Sequence, residues 1–205
     1  METRYFVGLD LGKRNDVTAL AVIERVEKES EGAELRLRYL ERVEGTSYPE
    51  IVERVREVVQ SSTLQGQCEL AVNAAGAGRH AVDLLHRAQL GCLVRPVMVT
   101  CGRRERIEGD WSHVPNRDLL IRLRNLFRAQ TFKIAKDLPY SAEMRQQMPR
   151  MRVTVSFTGN EQYDAWREGD YDDLVFAVAL ACWAVEKTCG LETGTRTVGV
   201  SDASL

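Results

Sequence analysis

The chain lacks any apolar run near the roughly 18 residues that a membrane-spanning helix requires. No helical membrane span is therefore expected. Its first residues, METRYFVGLD, lead straight into an apolar strand without the layout of a secretory signal. A cytoplasmic location is the expectation. No C-x-x-C pair occurs among Cys68, Cys92, Cys101, Cys182 and Cys189, and five is an odd number. Buried, reduced thiols are expected rather than disulfides or a thiolate zinc site. Positive charge is not in excess, since the net charge is −2. That removes a global nucleic-acid signature and leaves only local basic patches to consider. There is no G-x-x-x-x-G-K-(S/T) loop, so ATP-driven motor chemistry is not expected of this chain. His80, His86 and His113 show no metal-ligand spacing, and no Ser or Cys sits in a nucleophile elbow. Internal repeats and low-complexity segments are also missing.

What is present suits a soluble domain with a full core. Of 205 residues, 44% are apolar and 28% charged. Residues 1–190 are expected to form a single domain. The Gly/Thr/Ser-rich tail LETGTRTVGVSDASL (191–205) is expected to be disordered. Residues 5–9, 18–26 and 34–43 read as three strands, the third alternating apolar and polar. Ile51, Val52, Val55, Val58 and Val59 mark a helix over about 48–60. Strands follow at 69–73 and 92–99, separated by a Gly76/Gly78 turn and a helix through Ala81, Val82, Leu85 and Ala88. Residues 101–116 read as an Arg- and Gly-rich loop or hairpin. A helix then carries Leu119, Leu120, Leu123, Leu126 and Phe127 on one stripe. TFKIA reads as a short edge strand and 150–157 as another strand. Residues 174–185 are apolar nearly all round, which predicts a deeply buried helix. A meander of strands followed by alternating helices and strands predicts an α/β, ribonuclease H-like mixed sheet. Its first three strands would be antiparallel and the later ones parallel, with helices on both faces.

Two acidic features stand out. Asp10 ends the first buried strand, where an ionised carboxylate is costly unless it is paired or binds a cation. Capping of the Gly12 turn is the ordinary alternative. Far along the chain, EGDYDDLVFAVAL places Asp170, Asp172 and Asp173 just before the buried helix. One acid is expected there as an N-cap; three within four residues exceed that need. Acids at a strand end and at the start of a core helix can converge on one point. Such a point makes a hard oxygen site suited to Mg²⁺ or Mn²⁺, and such sites cut phosphodiesters by two-metal chemistry.

Four stretches, in order, carry a family resemblance. They are VGLDLGKRNDVTALAVIE, LAVNAAGAGRHAVDLLHRA, HVPNRDLLIRLRNLFRAQTFKIAKDLP and GDYDDLVFAVALACWA. Together they span residues 5–187 and resemble the C-terminal nuclease domain of phage terminase large subunits. The resemblance implies a metal-dependent DNA endonuclease domain of viral DNA packaging and cleavage, from a phage or prophage in a bacterial host. Mg²⁺ or Mn²⁺ is the implied cofactor and double-stranded DNA the implied partner. An ATPase domain, or portal and packaging proteins, would be supplied separately. The first metal-binding acid falls on Asp10 and the last on Asp172 or Asp173. The second falls on Asn73, which departs from the family's acid; Tyr171 replaces a histidine and Ala75 a threonine. An amide oxygen can ligate Mg²⁺ but brings no charge, so Asn73 is expected to weaken the site, above all for a second ion. Three readings stay open: a weakened nuclease using Asp10, Asn73 and Asp172/Asp173, a degenerate domain that keeps the fold and DNA binding, or an inactivating substitution. Glu69 lies about 13 Å along the same strand at ~3.3 Å per residue, too far to substitute. Asp83 reads as a solvated helix acid and Asp16 as a turn aspartate.

Local basic residues are the candidate DNA contacts. Lys13 and Arg14 lie near Asp10, and Arg79 and His80 follow the Gly76/Gly78 turn. Arg103, Arg104 and Arg106 share a loop, while Arg124 and Arg128 share a helix face with Arg117. Contacts of this kind would be sequence-independent and salt-sensitive. Trp111 is expected to cover the core rather than stack on a base. A Holliday-junction-resolvase-like nuclease is the other enzymatic reading, though it too would want an acid on the ELAVN strand. An actin-like phosphotransferase would need a second such domain.

Overall fold

The computed structural model describes residues 3–12, 17–28, 32–43, 47–75, 78–148, 153–155, 161–163 and 173–190. Strands β1 (Thr3–Asp10), β2 (Thr18–Lys28) and β3 (Gly32–Val43) form an antiparallel meander. Helix α1 (Tyr48–Val59), strand β4 (Cys68–Asn73), helix α2 (Gly78–Arg87) and strand β5 (Leu93–Thr100) follow. β4 runs parallel to β1, and β5 parallel to β4. The Arg-rich segment resolves into a hairpin of β6 (Arg106–Glu108) and β7 (Trp111–Pro115). Gly109 adopts a φ of 60°, as a tight two-residue hairpin turn demands. Then come α3 (Asn116–Arg128), β8 (Phe132–Ile134), α4 (Ser141–Gln147), β9 (Val153–Val155), β10 (Glu161–Tyr163) and α5 (Asp173–Cys189).

Eight strands make one sheet in the order β6-β7-β5-β4-β1-β2-β3-β8, and β9 and β10 pair separately. This is the ribonuclease H-like mixed sheet that the element order predicts. α4 and β10 were not expected. SAEMRQQ offers one deeply buried apolar anchor, Met144, and EQY only one aromatic, too few for a periodicity to show. Among the described residues no helix is long and apolar enough to cross a membrane. The 191–205 tail lies outside the described residues.

Alternation along the central strands divides the core in two. Phe6, Ala19, Ala21 and Ala71 face α3, α4 and α5. Val7, Leu9, Leu20, Val22, Leu70 and Val72 face α1 and α2. Every residue of α5 from Asp173 to Val185 is buried, so its uniform apolarity reflects burial on all sides.

The direction of α5 positions everything that follows. Its early part meets the end of β3 through Asp173 and Arg42, and its late part meets the start of β4 through Thr188 and Glu69. The helix therefore runs back along β1 and β4, with its N-terminus over their C-terminal ends. At the crossing point a Cβ on Gly8 would lie 1.9 Å from the Ala177 carbonyl oxygen and 2.8 Å from the Ala181 nitrogen. Both obstacles are backbone, so no rotamer change can relieve the clash. Gly8→Ala is expected to destabilise the fold by about 3 kcal/mol through overpacking, read as a lower urea midpoint with an unchanged slope.

Candidate active site

One row of residues crosses the sheet at the level where β1 and β4 end. Val97, Asn73, Asp10, Ala19 and Arg42 are successive register partners on β5, β4, β1, β2 and β3. Asp10 lies two positions beyond Gly8, and Asn73 two beyond Ala71, so both point to the α5 side. Arg42 reaches that side by a different route. A bulge opposite Val22/Ile23 skips Arg38, so Leu35, Leu37, Leu40 and Arg42 all face α5. Tyr39 and Glu41 turn to the other face, where Arg54 of α1 bonds both. Sequence reasoning missed Arg42. The signal was present in the slip from Leu35–Leu37 to Leu40 within an otherwise alternating strand.

The side-chain geometry along the row is specific. The Asn73 amide nitrogen Nδ2 donates to Asp10 Oδ1 at 2.7 Å. Its oxygen Oδ1 accepts from the backbone N–H groups of Ala75 at 3.1 Å and Val99 at 3.3 Å. Two main-chain donors thus fix which way the amide faces, and the end turned to Asp10 is a donor. An aspartate here would bring two carboxylate oxygens into contact, which requires a shared proton or a cation. Asn73 meets the same carboxylate with a charge-assisted hydrogen bond instead.

Asp173 opens α5, where a carboxylate suits the positive end of the helix dipole. Arg42 grips both of its oxygens, Nε to Oδ2 at 2.8 Å and Nη2 to Oδ1 at 3.0 Å. The pair is largely dehydrated, with Arg42 16% and Asp173 8% exposed. Asp172, Lys13 and Arg14 lie outside the described residues, as do Asp16 and Asp170. Glu69 sits at the opposite end of β4, held by Arg4 at 3.0 Å, Arg95 at 3.0 Å and Thr188 at 2.7 Å. Asp83 is exposed on α2. Among the described residues no three His, Cys, Asp or Glu side chains form a group that could hold a metal ion. The Asn73 oxygen and both Asp173 oxygens are already engaged, so of these three side chains Asp10 is the one that would hold a divalent ion.

The basic candidates divide by position. Arg79 and His80 are exposed on the first turn of α2, just past the end of β4. Arg103 and Arg104 are exposed in the loop after β5, on the same edge of the sheet, and Arg106 is exposed on β6. α3 starts at that edge, but Arg124 and Arg128 lie about 12 and 18 Å further along it at ~1.5 Å per residue. Trp111 packs half-buried against the α1/α2 core, covering it.

Glu105 ties the arginine-bearing loop down. Lys187 lies 2.8 Å from its Oε1, Arg122 donates to it at 3.2 Å and the Trp183 indole at 3.3 Å. Burial, the largest single influence, pushes the Glu105 carboxyl up, but Lys187, Arg122 and Trp183 together outweigh it and hold it below its ordinary range. A depressed carboxylate contributes stability above its unfolded pKa and loses it as pH falls through the folded value. Glu105→Gln is therefore expected to be less stable than the parent at neutral pH, with the gap closing in acid, as measured by urea midpoints across pH.

Similar solved structures are terminase nucleases. The large terminase nuclease of thermophilic phage G20c with bound magnesium shares 18% identity at a TM-score of 0.63, over 89% of this chain and 82% of that one. The nuclease domain of the bacteriophage SPP1 large terminase, with bound Mn, shares 10% identity at 0.54, over 88% and 86%. The bacteriophage HK97 large terminase shares 13% at 0.57, over 90% of this chain and 40% of that one. No protein-family model matches the chain, and no curated protein matches it. The fold is thus shared with terminase nuclease domains, as the resemblance in sequence implies.

Removing one partner of a mostly buried ion pair strands the other, so Arg42→Gln is expected to cost about 3 kcal/mol. Adding Asp173→Asn should recover more than half of that loss in a double-mutant cycle read by chemical denaturation.

Proposed function

We propose that this chain is a terminase-like, divalent-metal-dependent DNA endonuclease domain whose cutting is weakened by Asn73. The observation that supports this reading most is the adjacency of Asp10 and Asn73. It lies at the C-terminal ends of two parallel central strands, where a fold of this kind places an acid pair. Residues 1–190 would be the nuclease domain, acting on double-stranded DNA in a phage- or prophage-derived packaging system. The ATPase and portal components would be separate.

In this reading Asp10 holds Mg²⁺ or Mn²⁺, together with Asp172, whose role comes from the sequence alone. When bound, the ion would supply an activated water and charge stabilisation at phosphorus. The chain's own residues do the rest. Asn73 orients the Asp10 carboxylate through its amide donor. Asp173 is spent on Arg42 and anchors the start of α5. Arg79, His80, Arg103, Arg104 and Arg106 would meet backbone phosphates along the same edge, joined by Lys13 and Arg14, whose role comes from the sequence alone. Arg124 and Arg128 would serve only a longer duplex path. Such contacts position the duplex without reading its sequence.

A neutral residue at position 73 also favours a second reading, a DNA-binding or assembly module that has lost catalysis. Supercoiled plasmid with Mn²⁺ or Mg²⁺ separates the two. The wild type is expected to nick slowly, Asn73→Asp to cut at least about tenfold faster, as expected for regaining more than ~1.4 kcal/mol of transition-state stabilisation, and Asp10→Ala not at all. Gel shifts without cutting in wild type and Asn73→Asp would favour the binding module. Neither cutting, metal binding nor DNA binding in any variant would remove the whole reading.

A further inference from the structure

Protein donors already engage both acids of the row. Asn73 presents an N–H donor to Asp10 at 2.7 Å, in the direction where a paired acid would need a cation. Its oxygen is held away by Ala75 and Val99. Turning the amide over would leave two backbone N–H groups facing an NH₂ and would set a carbonyl against a carboxylate. Both changes are unfavourable, so the amide is locked in this sense. Arg42, the register partner of Ala19, supplies a full positive charge to Asp173. At one end of the row Asp10 thus accepts a hydrogen bond from a neutral amide, and at the other Asp173 is paired with a guanidinium.

We propose that this centre binds a single divalent cation through Asp10, that Asn73 sets this number by occupying the second ion's place with its amide hydrogens, and that Asp173 is not a ligand. The proposal rests on the reading of the site as a cation site. It deepens that reading by fixing the stoichiometry and naming the residue that controls it.

The test counts Mn²⁺ bound per full-length chain, by electron paramagnetic resonance of the free ion. Wild type is expected to bind one Mn²⁺. Asn73→Ala, which withdraws the donor without adding charge, should bind one ion about tenfold more tightly, because the competing charge-assisted hydrogen bond is gone. Asn73→Asp should bind two. The Arg42→Gln/Asp173→Asn double variant, which removes the pair without stranding a charge, should bind one, within a factor of about two of wild-type affinity, because a residue engaged elsewhere contributes no ligand. Two ions or none on wild type, one ion on Asn73→Asp, or loss of the ion from the double variant would each overturn the proposal. Should Asn73→Asp be unfolded in chelator, its melting temperature must rise more on adding Mn²⁺ than that of wild type; an equal or smaller rise also overturns it. Plasmid cutting is scored separately. A chain that binds one ion and never cuts leaves this inference standing while the nuclease reading fails. A chain that cuts with two ions does the reverse.

Discussion

The backbone of α5 lies directly on β1, and the contact exists only because residue 8 has no side chain. A Cβ there would meet the Ala177 carbonyl at 1.9 Å. This close approach determines where the start of the helix falls. Running back along β1 and β4, α5 brings its N-terminal carboxylate to the strand ends that carry Asp10 and Asn73. Ala177 and Ala181, one turn apart, are small for the same reason as Gly8. The apolar remainder of the helix fills the space between the sheet and α3, so a shift of α5 would disturb the core and the site together.

Register does the second part of the work. Parallel pairing of β1 with β4 sets Asp10 opposite Asn73, and antiparallel pairing of β1 with β2 sets Asp10 opposite Ala19. The bulge in β3 then changes which of its residues face inward. With strict alternation from Leu35, residues 39 and 41 would point at α5 and Arg42 would point away. One skipped residue reverses that and delivers a guanidinium to the buried Asp173. A sheet irregularity is thus part of the electrostatics of the site, because the Asp173 charge at the helix start could not be buried without it.

Much of this was legible in the sequence. The meander, the parallel continuation and the buried helix follow from alternation, apolar runs and their order, and Asp10 is conspicuous because an acid does not belong at the end of such a strand. Asn73 was found as a departure from a pattern, and Trp111 was read correctly as cover. Other features depend on information that the linear sequence carries weakly. Whether an asparagine offers its oxygen or its nitrogen to a neighbour depends on backbone donors at Ala75 and Val99, and the second belongs to another strand. Asp173 was paired with Asp172 as an alternative because they are adjacent. Asp173 is singled out only once Arg42 is known to reach it, and that depends on the bulge. The short helix α4 and strand β10 have too few apolar residues to announce themselves. Arg124 and Arg128 share a helix face with Arg117, but the direction of α3, set by where β7 ends, carries them away from the site.

Asn73 changes what the fold requires as well as what the site can do. In an acid pair, two carboxylates at hydrogen-bond distance repel, and a bound cation or a captured proton must offset this for the strand ends to stay together. A donor at one of the two positions turns that repulsion into attraction, and the β1–β4 ends then close without an ion. Arg42 does the same for Asp173. The structure thereby separates two roles that a metal usually combines: holding the acids in place and acting on the substrate. The first has been taken over by an amide and a guanidinium. In the proposed reading only the second would be left to a cation, and a site relieved of its structural need for metal would bind it weakly without losing its shape.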